Sequence, residues 1–436
     1  MRLFKLFPVI FFLVYSSNCF AQPDKEIFAE RRAKLMEQIS DGIAVMVSPD
    51  AANRNGDVDY EYRQESNFYY LSGFEEQSSC MIIDPNGTDK YILFVKPKNP
   101  AREVWTGILT GLDKAVTEYG ADKSYEIKQF DSVLALYSSK KIYILSSDKN
   151  LAAKIKGINP QADTGNLSEI IGEMRLIKSA YEIGQMKKAI DITCNALIES
   201  MKSAKPGMYE YELQATLEYN FKKEGCTRNG FPSIVGSGPN SCILHYETNQ
   251  RKTQNGDIVV MDVGAEYGYY SADVTRSFPL NGKYSDAQKT IYNIVLKAQS
   301  ETIDALKPGM RFYQVDSIAR AVVTSELRKI GLLDDTTNSR KFFMHGTSHW
   351  VGLDVHDAGK YSENGVRGRR VLEPGMVLTV EPGVYIAAGI EGVDPKYYNI
   401  GVRIEDDLLI TETGHELMSK LAPRQISDIE KVMSKK

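Results

Sequence analysis

Two aspartates set into one apolar hairpin constrain this chain more than any other feature of its sequence. The segment GDIVVMDVGAEYGYYSADVTRSFPL covers residues 256–280. Residues 258–265 and 270–278 read as strands, rich in β-branched and aromatic side chains. A turn centred on Tyr267 and Gly268 joins them and pairs Glu266 with Tyr269. Counting back along both strands sets Asp262 opposite Asp273. Like charges at opposed positions, with Cβ atoms roughly 4.5–5.5 Å apart, destabilise a sheet. Each carboxylate also lies among Val, Met and Ala, where an unpaired charge is costly. A bound cation removes both penalties. Protonation of one aspartate, or a face turned to water, would also remove them.

Two further apolar runs carry an acid. GMVLTVEPGVYI (375–386) holds Glu381 and IGVRIEDDLLIT (400–411) holds Glu405, although Glu is depleted in strands. Asp406 and Asp407 read as turn or surface residues. The chain has five histidines, and MHGTSHWVGLDVHD (344–357) contains three of them, His345, His349 and His356. Carboxylates with an imidazole and no thiolate suit Mn2+, with Zn2+, Co2+ and Fe2+ as alternatives. Four carboxylates exceed the needs of one catalytic zinc and suit a two-metal site, with the ions roughly 3.5–4 Å apart.

Nearer motifs fail. His345 and His349 have the spacing of H-E-x-x-H, but Gly346 stands where that motif needs Glu, so the segment reads as loop or extended chain. No G-x-S-x-G elbow occurs. GSGPNSC (236–242) reads as a substrate-pocket loop or a plain turn, and His415, in the polar run TETGHE, as a solvated residue.

At 436 residues the chain has room for two or three domains. Its net charge of −4 gives no argument for nucleic acid or a membrane surface. Residues 1–21 form a signal-peptide pattern: Arg2 and Lys5, an apolar run over 6–15, then small and polar residues to Ala21. This predicts export, to the periplasm or beyond, with cleavage near Ala21. Ten apolar residues are too few to span a bilayer. Lipid attachment at Cys19 is the alternative, although Ser16-Ser17-Asn18 matches such a site poorly. No later apolar run reaches 18 residues, so stable membrane insertion is not expected. Cys80, Cys194, Cys226 and Cys242 form no C-x-x-C pair; they read as buried thiols, with disulfides left open.

Within residues 22–172, strand-like runs at 42–48, 79–85, 90–97 and 140–146 mix with helical runs at 26–39 and 130–139, which predicts an α/β domain. Ser179 to Glu182 forms a capping box opening a helix to about residue 204, inside a second domain over 173–436. KPGMYEYELQ at Lys205 and KPGMRFYQVD at Lys307 each sit between two amphipathic helices. They point to duplicated halves of roughly a hundred residues, with coincidence as the alternative, since Pro-Gly turns are common before helices.

The order Asp262, Asp273, His349, Glu381, Glu405, with intervals of 11, 76, 32 and 24, resembles that of the pita-bread dinuclear metallopeptidases. NRNGDVDYEYRQESNFYYLSGFEE (53–76), REVWTG (102–107), IVGSGPNSCILHYETN (234–249) and HGTSHWVGLDVHD (345–357) are similar to the aminopeptidase P branch of that family. The resemblance implies an α/β (α+β) chain: a three-layer domain of the creatinase/prolidase N-terminal type, then a pita-bread catalytic domain. The latter has pseudo-twofold halves around a curved antiparallel sheet. It implies a metal-dependent aminopeptidase that hydrolyses the N-terminal Xaa-Pro bond of peptides with proline second, through a hydroxide bridging two divalent ions.

In that family's pattern Asp262 chelates one ion, His349 binds the other beside Glu381, and Asp273 and Glu405 bridge them. Glu381 also moves the proton. His245 and His356 contact substrate, stabilise the oxyanion and help protonate the leaving prolyl nitrogen. His345 takes a supporting place, and Arg403, two residues before Glu405 on the same strand face, reads as a partner of the carboxylates. A homodimer or homotetramer is implied as well. Prolidase, acting on dipeptides with the same machinery, is the near alternative. A non-catalytic peptide-binding relative is the distant one, and the intact ligand set argues against it.

Overall fold

A computed structural model of the chain describes residues 25–434. The expected signal segment, with Cys19, lies outside the described residues. The chain divides into two compact units, Met1–Ser168 and Glu169–Lys436. The division falls at the start of the helix Leu167–Leu176.

The first unit is built on a six-stranded mixed sheet. Its order is Lys123–Glu126, Tyr91–Val95, Cys80–Ile83, Gly42–Val47, Lys141–Ile144, Thr164–Asn166. The central pairs run antiparallel and the outer ones parallel. Ile43, Val45, Ile82, Phe94 and Ile142 pack on Phe130, Leu134, Leu151 and Ile155 of covering helices. The alternate residues Ala44, Met46, Met81 and Leu93 are buried as well. Both faces are therefore covered, which is why these strands read as unbroken apolar runs rather than alternating ones. Both edge strands are short and polar, KSYE and TGN, a composition that resists edge-to-edge pairing.

The second unit carries the duplication in its hydrogen bonds. Ser179 and Ser285 open the helices Ala180–Ser203 and Asp286–Ala305 with full capping boxes. Each helix turns through a Lys-Pro-Gly-Met segment into a second helix, Glu210–Lys223 or Phe312–Lys329. Gly207 N–H donates to Thr253 O (3.1 Å) and Gly309 N–H to Leu372 O (2.9 Å). Thr253 N–H donates to Met208 O (2.7 Å) and Leu372 N–H to Met310 O (2.8 Å). Tyr209 bridges Lys252 as Arg311 bridges Val371. Two halves with the same helix, turn and strand contacts are what the repeated decapeptides predict.

The sheet of this unit is antiparallel and made of short pieces. Ile234–Ser237, Ile258–Val263 and Val274–Pro279 form one; Val377–Val380, Asp406–Ile410 and His415–Leu417 form another; Gly383–Ile386 pairs with Ile400–Arg403. The pieces are stitched across their gaps: Glu405 N–H donates to Thr275 O (3.1 Å) and Glu381 N–H to Thr347 O (2.9 Å). Asp273, Glu381 and Glu405 all stand at interruptions of the strands, not midway along them as the apolar runs imply.

The hairpin register differs from the expected one by two residues. Asp262 faces Thr275, and Tyr267 pairs with Tyr270. The turn residues are Gly268 (φ 56°) and Tyr269 (φ 72°), the left-handed pair of a type I′ turn. Glycine takes the first place without strain, and burial of the Tyr269 ring offsets the second. A two-residue shift preserves the face. Asp262 and Asp273 thus remain on one side of the sheet as diagonal rather than direct neighbours. The strand also breaks at Gly264, where a Cβ would stand 1.9 Å from the Ala272 carbonyl oxygen.

His415, expected in solvent, is half-buried, and its Nδ1 donates to Leu306 O (3.0 Å). The four described cysteines are free thiols. Two glycines give opposite expectations. Gly264→Ala overpacks backbone and destabilises by at least about 2 kcal/mol. Gly184→Ala, in a helix where an added Cβ meets nothing within 4 Å, stabilises by about 0.5–1 kcal/mol. Thermal melts of both variants against wild type check the signs.

Candidate metal centre

Asp262, Asp273, His349, Glu381 and Glu405 all line one cavity of about 490 Å³, with His245, His345, His356 and Arg403. The expected site residues are therefore brought together without exception. Asp273, His349 and Glu405 each offer a ligand atom, and these atoms lie within 4.8 Å of one another. His349 Nε2 stands 3.3 Å from Asp273 Oδ2, 3.6 Å from Glu381 Oε1 and 4.0 Å from Glu405 Oε1. His349 Nδ1 donates to the Trp350 carbonyl (3.0 Å). That bond fixes the tautomer and leaves the Nε2 lone pair toward the carboxylates. The segment carrying His349 is extended, not helical, as Gly346 predicts: Thr379 N–H donates to His349 O (3.0 Å) and Val351 N–H to Val377 O (3.2 Å).

The electrostatics of this cluster call for a cation. Burial raises the Asp273 carboxyl well above its ordinary range, and neighbouring Asp262 and Asp407 add to it. Burial does the same to Glu405, with Asp273 and Glu381 adding, and pushes Glu381 up to about 7. Asp262 Oδ1 and Asp273 Oδ1 are buried and accept no hydrogen bond. Four carboxylates, two of them with a buried oxygen that accepts no hydrogen bond, plus the His349 Nε2 facing them, form a donor set that fits divalent cations of the hard or borderline kind.

Supporting contacts orient these donors. Arg403 Nη2 donates to Asp262 Oδ2 (2.5 Å), and its Nε lies 3.2 Å from Thr275 Oγ1, which donates to Glu405 Oε2 (2.6 Å). Arg403 Nη1 donates to Tyr385 Oη (2.8 Å), and that hydroxyl donates to His345 Nε2 (2.7 Å). The direction is fixed because His345 Nδ1 donates to Gly346 O (2.6 Å). Burial, with Arg403 adding, holds His345 down at about 3. It is thus a neutral support, 3.5 Å from Glu381 Oε2. Tyr385 is absent from the sequence reading because a tyrosine in an apolar strand gives no signal of its own.

Asp406 and Asp407 correct that reading directly: both are fully buried. Adjacent strand residues point to opposite faces, and here both faces are covered, so a polar pair that reads as a turn lies in the core. Asp406 meets Arg276 Nη2 (2.7 Å) and Gln299 Nε2 (2.8 Å). Asp407 Oδ2 accepts the backbone N–H of Asp273 (3.0 Å). Burial pushes Asp407 up to about 7.

His245 and His356 stand exposed on the cavity rim. The rings of His356 and His349 are 4.4 Å apart and nearly perpendicular. Burial, then His349 and His245, hold His356 below its ordinary value. Its neighbour Asp357 is an anchor. Burial opposes its charge, yet Arg175 and Lys178 (Nζ at 3.0 Å) keep it ionised. Residues 236–242 do not line the cavity; Ser241 Oγ instead accepts the Gly401 N–H (2.8 Å).

Two outcomes follow from the buried acids. Without a cation, the raised carboxyls make the folded state bind more protons than the unfolded chain between their ordinary range and about pH 7. Stability then falls as pH rises through that window. The thermal midpoint of chelator-treated protein should drop between about pH 5 and about pH 7.5, and added Mn2+ or Zn2+ should raise it more at the higher pH. A midpoint indifferent to metal at the higher pH contradicts this. Asp407→Leu, which strips the Asp273 backbone of its acceptor, should weaken metal binding about ten- to hundredfold, while Asp407→Asn retains most of it. Calorimetric titration separates the two variants.

Residues 184–412 match the model of metallopeptidase family M24, and residues 28–144 match the aminopeptidase P N-terminal domain. The chain is 38% identical to an Xaa-Pro aminopeptidase of Haemophilus influenzae, covering 95% of this chain and 98% of that one. It is 36% identical to an Xaa-Pro aminopeptidase of Escherichia coli, over 94% and 98%. Among solved structures, zinc-substituted E. coli aminopeptidase P in complex with product superimposes with a TM-score of 0.90 at 34% identity, covering 95% of this chain and 99% of that one. With the pita-bread unit, its N-terminal companion and the acid-lined cavity in place, the chain belongs to metallopeptidase family M24, in its aminopeptidase P group.

Proposed function

We propose that this protein is an Xaa-Pro aminopeptidase, removing the first residue from peptides whose second residue is proline. One observation carries the proposal: the five donors in their family order, and the two rim histidines, share a single cavity. Relatives named for this activity align over nearly the whole of both chains. Two divalent ions, Mn2+ by the oxygen-rich donor set, would be held by Asp262, Asp273, His349, Glu381 and Glu405. Bound there, such ions lower the pKa of water and polarise a carbonyl.

The remaining steps belong to the chain's own groups. Glu381, its two oxygens turned toward His349 and His345, takes the proton of the attacking water and returns it to the departing nitrogen. His356, beside His349, and His245 hydrogen-bond the peptide carbonyl as it gains negative charge. Phe231, Leu244 and Val355 give the same cavity apolar walls, against which a prolyl ring packs. Arg403, Tyr385 and His345 keep the acids in place. The charged start, apolar run and Ala21 of the N-terminus support export of the mature enzyme.

The test is a comparison of Arg-Pro-Pro with Gly-Pro after loading with Mn2+, Co2+ or Zn2+, following the released amino acid. Release of arginine from the tripeptide with no turnover of the dipeptide is the expected result. The reverse pattern makes the protein a prolidase, and silence with all three metals sinks both readings.

A further inference from the structure

The cavity rim carries one charged group that the reaction does not use. Glu247 lines the cavity two residues from His245, is exposed, and meets no hydrogen-bond donor or cation among the described residues. Its neighbours leave it uncompensated. Arg403 is the one guanidinium on the cavity wall, and it is committed to Asp262 at 2.5 Å. No lysine lines the wall. The interior acids are balanced by whatever cations they bind; the carboxylate at the mouth is not.

Its position is fixed by the loop beneath it. Tyr246 Oη donates to Glu210 Oε2 (2.9 Å), and fully buried Glu210 also accepts the Ser237 N–H (2.8 Å). Asn249, buried and left-handed at φ 51°, accepts the Val235 N–H (3.0 Å) and donates to Ser233 O (2.8 Å) and Gln214 Oε1 (2.9 Å). Residues 246 and 249 are thus pinned on either side of Glu247. An exopeptidase that cuts after the first residue holds the peptide's amino end at the buried acids. The chain beyond the proline therefore leaves through the mouth.

We propose that Glu247 is a specificity-determining residue, favouring substrates with a cationic side chain just after the proline and disfavouring acidic ones. This rests on the aminopeptidase reading above. An exposed charge at a rim acts through solvent, so the preference is modest and sensitive to ionic strength.

The experiment measures kcat/KM for the amides Ala-Pro-Lys, Ala-Pro-Gln and Ala-Pro-Glu with the metal-loaded full chain, wild type, Glu247→Gln and Glu247→Lys. The ratio of the lysine to the glutamate peptide is internal to each preparation, so differences in active fraction cancel. Wild type should show a ratio of about fivefold at low salt, collapsing toward unity at high salt. Glu247→Gln should lie near unity, and Glu247→Lys should invert the preference. Equal turnover of the three peptides by wild type, or an undiminished ratio in Glu247→Gln, overturns the assignment of Glu247 alone. Absence of turnover with every peptide overturns the aminopeptidase reading and this inference with it.

Discussion

Negative charge packed into a buried cluster is the constraint on which the catalytic unit depends. Asp262, Asp273, Glu381 and Glu405 cannot all ionise side by side in a buried site unless positive charge joins them. A fold that tolerates such a cluster must present the acids from rigid backbone and prevent their drifting apart toward water. The interrupted strands do this. Asp273, Glu381 and Glu405 stand where one piece of sheet ends and the next begins, so their side chains enter the cavity while the flanking residues stay in ladder register. Beneath them a second tier of polar groups is buried just as deeply: Asp406 with Arg276 and Gln299, Asp407 on the Asp273 backbone, and Thr275 on Glu405. A buried pair such as Arg276 and Asp406 adds little stability over apolar packing, and losing one partner is severe. Its value here lies in fixing the strand that precedes and follows the acids.

The duplicated architecture explains how the acids come to face one another. The interval separating Lys252 from Val371, equivalent bridge residues in the two halves, also separates Asp262 from Glu381. Each half thus delivers an acid from the end of the same strand, after the same helix pair and the same glycine turn. The N-terminal unit has no part in this symmetry. Its sheet is mixed, covered on both faces and closed at its edges by polar strands, which suits an independent domain.

Much of the site was legible because it violates a local rule. Aspartate or glutamate in a run of Val, Ile and Leu is costly, so Asp262, Glu381 and Glu405 stand out without a structure. The repeated decapeptides at Lys205 and Lys307 likewise announce equivalent turns. What stayed hidden obeys local rules or depends on geometry that composition does not encode. Asp406 and Asp407 look like a polar dipeptide, and only covering both faces of their strand puts them in the core. The hairpin register turned on which residue beside Gly268 accepts positive φ, and Tyr269 does so through tertiary burial. Tyr385 and Thr275 act by hydrogen bonds to partners far away in sequence. Glu247 is an unremarked acid until the cavity mouth is drawn around it.

The duplication supplies charge evenly but chemistry unevenly. Each half contributes two carboxylates, while the one imidazole aimed into the cluster, His349, comes from the second half alone. The halves therefore offer unlike environments: one made purely of hard oxygen, the other softened by nitrogen. A scaffold descended from two equal parts has lost its equivalence at the point where its chemistry is set.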